Sequence, residues 1–209
     1  MIKIHHLNYS RSTRIIWLME ELGEPYEIVP HTRDPSTFRS PPTLDSIHPL
    51  GKAPVIEDGA LVMAESGAII EYVIATYGRG KLAPAQSGPA WARYIGWLHF
   101  AEGSAMMPLL VHLLGMLTGG LPDGLKGFIA PDIEKTLKYI AAEIPDNGYL
   151  TGSAFSGADI QMSYVLEVAR MGKLLAAYPS LEKYMARLEQ RPAYKRAIER
   201  GGPVPLPLG

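Results

Sequence analysis

Along the first third of the chain the apolar positions change period in a fixed order. Ile2-Lys3-Ile4-His5-His6-Leu7 reads as a strand. Residues 12–23 place Ile15, Ile16, Leu18, Met19 and Leu22 on one face, with Gly23 near the end, and predict a helix. Tyr26 to Val29 predicts a second strand, so the unit reads as a right-handed crossover to a parallel partner. Residues 33–49 are rich in Pro, Ser, Thr and Asp and predict a loop with a short helix. Val55-Ile56 and Leu61-Val62-Met63 flank Asp58-Gly59, a hairpin signal. A helix over 65–77 follows, with Ile69, Ile70, Tyr72, Val73 and Tyr77 apolar. The order is β-α-β, then β-β-α.

Beyond residue 78 the strand period disappears. Gly78, Gly80, Pro84, Gly88 and Pro89 mark a linker. Residues 90–117 form a long apolar segment interrupted by Gly103 and Pro108, where a kink is expected. Residues 118–127 read as a loop, and 131–144 as a helix ended by Pro145-Asp146-Asn147-Gly148. Residues 156–171 are apolar almost all round, which implies a buried helix. Ser156 and Asp159 have the spacing of a capping box, and Phe155 and Ile160 that of a hydrophobic staple. Shorter helices near 180–190 and 192–200 precede a Pro/Gly tail from Gly201 to Gly209. The expected organisation is an α/β domain over 1–78, a linker at 79–89 and an all-helical domain over 90–209.

Composition removes several functions. The chain has 209 residues and a net charge of −1, so no electrostatic case exists for nucleic acid or an anionic membrane surface. No apolar run is expected to reach the ~18 residues of a membrane span. Met1-Ile2-Lys3-Ile4 runs straight into the first strand, so no signal peptide and a cytoplasmic location are expected. Cysteine is absent, which excludes disulfides, thiolate metal sites and a protein thiol nucleophile. Sulfur chemistry here has to use the sulfur of a ligand. His5 and His6 are strand neighbours facing opposite sides, and no His-x3-His pair falls on a predicted helix, so no metal is expected.

The candidate chemistry lies in Gly51-Lys52-Ala53-Pro54-Val55-Ile56 and in Glu65-Ser66-Gly67. Pro54 cannot donate a hydrogen bond. If its peptide bond is cis, its neighbour turns N–H and C=O outward, and Val55 would pair with an extended ligand. Glu65 and Ser66 open a helix, where free N–H groups favour a carboxylate and a Glu side chain holds an ammonium. Together these segments suit a small peptide gripped by its backbone and its α-amino acid end.

In this order the pieces resemble glutathione transferases over almost the whole chain. Tyr9-Ser10-Arg11-Ser12-Thr13-Arg14-Ile15-Ile16-Trp17 is similar to that family's first βα turn and helix. Gly51 to Val55 resembles its cis-proline loop, Glu65-Ser66-Gly67-Ala68 its γ-glutamyl clamp, and Ser156 to Asp159 its C-terminal capping element. Tyr178 to Leu181 and Arg191 to Tyr194 resemble its last helices. The closest flavour is the bacterial and fungal serine-type group with a Ser-Arg-x-x-Arg turn.

The resemblance implies a thioredoxin-like N-terminal domain, an all-helical C-terminal domain, a glutathione site on the first, a hydrophobic co-substrate pocket between the two, and a homodimer. It implies a detoxifying transferase: glutathione, as co-substrate, adds as thiolate to a small hydrophobic electrophile. A glutathione-dependent peroxidase or disulfide reductase, or a non-catalytic module of the same fold, would use the same parts. Ser10 and Tyr9 both stand where a hydroxyl would lower the thiol pKa, together with the positive end of the first helix. Arg11, Lys52, Pro54, Val55, Glu65 and Ser66 are the glutathione-binding candidates, with Lys52 aimed at the glycine carboxylate. Tyr94, Trp97 and Met106 are candidates for the co-substrate pocket.

Overall fold

Ile2, Ile4 and Leu7 are buried along β1 (Ile2–Leu7), the strand on which the first unit is built. In this computed structural model, which describes residues 1–204, β1 runs parallel to β2 (Tyr26–His31) and antiparallel to β3 (Val55–Asp58). β4 (Leu61–Ala64) completes the sheet in the order β2-β1-β3-β4. The crossover from β1 to β2 is α1 (Thr13–Leu22), whose Ile15, Ile16, Leu18 and Met19 are buried and whose end is closed by Gly23 at φ 72°. The loop 33–49 carries only the short α2 (Pro42–Asp45), and α3 (Ser66–Tyr77) follows the hairpin.

The chain divides into two compact units, 1–81 with 190–209, and 82–189. The last helix, α9 (Pro192–Gly201), was expected with the helical domain but groups with the first unit. Charge and aromatic pairing hold it there. Arg191 grips the Glu21 carboxylate with Nε at 2.6 Å and Nη2 at 2.8 Å, and Arg196 and Arg200 both bond Glu20. Trp17 meets Tyr194 edge to face at 5.0 Å. The Pro/Gly tail expected beyond Gly201 lies outside the described residues from 205 onward.

The second unit is helical. α4 (Gly88–Phe100) continues through a π-helical turn, Ala101–Ala105, into α5 (Met106–Leu117). Pro108 has no N–H for the preceding turn and crowds its carbonyl, and the widened turn beside Gly103 absorbs both, so the helix is not broken. An 18-residue window of Gly88–Leu117 has a mean hydropathy of 1.4, so by length and composition this helix is long and apolar enough to cross a membrane. That corrects the expectation of no such segment: the window tolerates isolated polar residues such as His99 that interrupt an unbroken apolar run. Core packing also accounts for its apolar content, since Trp97, Leu98, Leu109 and Leu113 are buried.

α6 spans Asp123–Glu143, beginning eight residues earlier than its sequence suggests and running through Pro131. Gly124, Gly127 and Pro131 lower helix propensity there, which is why the pattern read as loop. α7 (Gly157–Met171) is buried on nearly every side, as expected, and α8 (Pro179–Glu189) follows. The Ser156–Asp159 capping box is formed. Asp159 also accepts from Leu150 N–H at 2.9 Å and Tyr184 O–H at 2.6 Å, so it fastens three segments of the unit.

Candidate functional site

Three strands place the candidate residues at one edge of the sheet. His5 is in register with Val55, and Val55 with Ala64. The end of β1, the start of β3 and the end of β4 therefore lie side by side. The segments leaving that edge are Tyr9-Ser10 after β1, Ala53-Pro54 before β3 and Glu65-Ser66 after β4.

The Ala53–Pro54 bond is cis. Val55 is buried and held inside the sheet, with His5 on one side and Ala64 on the other. Ala53, on the other side of the bond, lies outside any strand, and among the described residues its N–H and C=O carry no hydrogen bond to another backbone group. Ala53, two residues before Val55, therefore has its backbone outside the sheet while Val55 lies within it. A residue inside a central strand has both backbone sides occupied. Gly51 shapes the approach, since a Cβ there would lie 1.9 Å from Asp45 Oδ1 and its φ is 56°. Lys52 is exposed beside it.

Glu65 is exposed and has φ 70°, ψ 107°, a conformation that side-chain-bearing residues seldom adopt. Ser66, by contrast, is buried, and its Oγ accepts from Arg14 Nη1 at 3.1 Å. Arg14 thus ties the start of α3 to α1. The first N–H groups of α3 have no intrahelical acceptor and suit an anion.

At the β1–α1 turn, Tyr9 has φ 56° and stacks on Phe38 with ring centres 6.2 Å apart. Arg33 holds this turn through the carbonyls of Asn8, Tyr9 and Phe38 at 3.0, 3.0 and 2.9 Å. Arg11 is half-buried. Ser10 is 7 % exposed, and its Oγ lies 2.7 Å from Ser12 Oγ and accepts from Ser12 N–H at 3.2 Å. Ser12 Oγ in turn lies 2.8 Å from His6 Nδ1, and His6 Nε2 is 2.7 Å from Gly201 O. Burial holds the His6 pKa below its usual value, opposed by the Gly201 hydrogen bond, with His31 lowering it further. His6, Ser12, Arg33 and Ala53 escaped the sequence reading. Only His6 carried a signal, as a polar residue at an inward strand position.

In the helical unit, Tyr94, Trp97 and Met106 are all buried. Trp97 stacks on Tyr139 at 5.2 Å and meets Phe100 edge to face. A cavity of about 400 Å³ in this unit is lined by residues including His112, Ile133, Leu137, Lys173 and Tyr178, and by none of those three. Among the described residues no group of three or more His, Asp or Glu could hold a metal.

Comparison with known proteins agrees with this geometry. The family profile "Glutathione S-transferase, N-terminal domain" matches residues 4–84, and "Glutathione S-transferase, C-terminal domain" matches residues 130–192. Glutathione S-transferase 1 of Saccharomyces cerevisiae is 30% identical, over 96% of this chain and 95% of its own. A glutathione S-transferase crystal structure from Actinobacillus pleuropneumoniae superposes with a TM-score of 0.88 at 32% identity, covering 96% of this chain and 93% of that one. A sphingomonad glutathione S-transferase complexed with glutathione gives a TM-score of 0.77 at 25% identity, covering 96% of this chain and 98% of that one. The chain belongs to the glutathione S-transferase family, a family of enzymes with a thioredoxin-like domain followed by a helical one.

Proposed function

We propose that this protein binds glutathione at the shared sheet edge, lowers its thiol pKa, and adds the thiolate to a small hydrophobic electrophile. The observation that carries this reading is the register His5–Val55–Ala64, which delivers Tyr9-Ser10, Ala53-Pro54 and Glu65-Ser66 to one edge. Ala53 offers an N–H and a C=O to the cysteinyl backbone. Glu65 receives the α-ammonium, while the first N–H groups of α3 receive the α-carboxylate. Lys52 and Arg11 are the cations for the remaining carboxylate and the sulfur.

A free thiol of this kind has a pKa of ~8.5, so only a small fraction is thiolate at neutral pH. The Tyr9-Ser10 turn supplies the hydroxyl that changes this, aided by the N-terminus of α1. This is the serine-type arrangement, with Ser10 as the contact and Tyr9 on the pocket wall. The cytoplasmic location, the homodimer and the detoxifying role implied by the resemblance belong to the same proposal, as does a co-substrate surface provided by the α4–α5 helix. The test is the rate of glutathione conjugation to a chlorodinitrobenzene by Ser10→Ala and Tyr9→Phe. A tenfold or greater loss is expected for Ser10→Ala. Rates within tenfold of the parent for both variants would remove the hydroxyl donor from the mechanism.

A further inference from the structure

Ser10 is joined to the end of the last helix by an unbroken line of hydrogen bonds, all within the first unit. Ser10 Oγ and Ser12 Oγ are 2.7 Å apart, Ser12 Oγ and His6 Nδ1 2.8 Å, and His6 Nε2 and Gly201 O 2.7 Å. Ser12 is 0 % exposed and His6 5 %, so the line is dry and Ser10 forms its outer end. Gly201 closes α9, and its carbonyl belongs to the last turn, which has no acceptable intrahelical donor and carries the negative end of the helix dipole. A Cβ at Gly201 would lie 2.7 Å from Ile16 Cδ1 and 3.4 Å from His6 Cε1. Glycine is what lets this carbonyl come so close.

The polarity of the line follows from its fixed end. A carbonyl only accepts, so His6 Nε2 carries the proton and Nδ1 presents a lone pair. Burial keeps His6 neutral at rest, so that lone pair is available. Ser12 O–H therefore donates to His6 Nδ1, and Ser10 O–H donates to Ser12 Oγ. What Ser10 offers outward is a lone pair, which suits a thiol that still holds its proton.

We propose that His6 receives the glutathione thiol proton through Ser10 and Ser12, leaving the thiolate hydrogen-bonded to Ser10. This rests on the reading that the thiol docks at the Tyr9-Ser10 turn. Three transfers balance the step. The S–H bond breaks as an O–H forms on Ser10, the former Ser10 proton passes to Ser12, and the former Ser12 proton passes to His6 Nδ1. Afterwards every bond in the line is reversed: His6 Nδ1–H donates to Ser12, Ser12 to Ser10, and Ser10 to the thiolate. The Gly201 carbonyl, at the carboxyl end of α9, favours the imidazolium from its far side, as a carboxylate does in a triad. His31 opposes it only when protonated, a form that burial disfavours, while the Glu57 carboxylate is bonded to His5. His6 acts through two hydroxyls and is a positioning residue; Ser10 is the contact.

The test is calorimetry of glutathione binding to the unaltered protein at neutral pH in two buffers of different ionisation enthalpy, with thiolate absorbance read on the same samples. Thiolate formation without proton release to the buffer is the expected result, accompanied by movement of the His6 imidazole NMR signal to its protonated position. Release of one proton per thiolate formed would overturn the relay while leaving the glutathione site standing. Failure to bind glutathione at all would overturn both. Ser12→Ala and His6→Gln are the matching variants. Each is expected to bind glutathione yet form at least tenfold less thiolate at neutral pH, with the acid limb of the kcat/KM profile moved upward. An unmoved profile in folded variants would contradict the proposal, and if neither variant folds, the calorimetry of the unaltered protein decides alone.

Discussion

Arg14 Nη1 donates to Ser66 Oγ at 3.1 Å, a charged hydrogen bond between residues only 2 % and 4 % exposed. It fixes where α3 begins relative to α1, and so where the amino-acid end of glutathione would rest. Arg14→Met should destabilise the protein by about 1.5–3 kcal/mol, the usual worth of a buried hydrogen bond to a charge. Its glutathione affinity should fall as well. Arg14→Lys should recover little of either, because an ammonium cannot reproduce the planar fork. Denaturant melts and binding isotherms check this; an Arg14→Met protein of parental stability would contradict it.

Glu65 holds a positive φ at an exposed position, where no packing demands it. Backbone strain of this kind is retained where it aims a functional side chain. Glu65→Ala should therefore leave Tm nearly unchanged and weaken glutathione binding tenfold or more. Glu65→Gly, which fits the backbone without strain, should lose affinity equally while Tm stays level or rises. If Glu65→Ala binds glutathione as the parent does, the ammonium contact is elsewhere.

Acidification should weaken the fold through His6 and His31, whose pKa values are both lowered, chiefly by burial. The unfolded chain binds these protons first, at about pH 6.5. Stability is therefore complete above that value and is lost as pH falls below it toward the folded-state values. Urea midpoints across that interval should drop in the parent and drop less in His6→Gln. Equal slopes in the two would show that His6 is not a source of the acid sensitivity.

The sheet, its hairpin and the buried α7 were legible because their apolar periods are local. The proline loop at Pro54 and the helix start at Glu65-Ser66 were legible as local structure because a turn, a proline and a helix start leave marks in sequence. Three features were not. α9 joins the first unit because Glu20 and Glu21 meet Arg191, Arg196 and Arg200 across some 170 residues, a pairing no window reveals. The first turns of α6 were hidden by Gly124, Gly127 and Pro131, whose low propensity tertiary packing overrides. That Val55 is enclosed and Ala53 is not depends on strand order, which makes β3 an interior strand and is not written in any local window.

The most direct test of the account is a pH titration of glutathione bound to this protein, followed by thiolate absorbance in the ultraviolet. The chain has no cysteine, so after a ligand-free tyrosine baseline is subtracted the sulfur signal belongs to glutathione alone. A bound thiol titrating at least one unit below the free value of ~8.5 is the expected result. Saturable binding with an unshifted titration would contradict thiol activation and leave a protein that holds glutathione without preparing it to react.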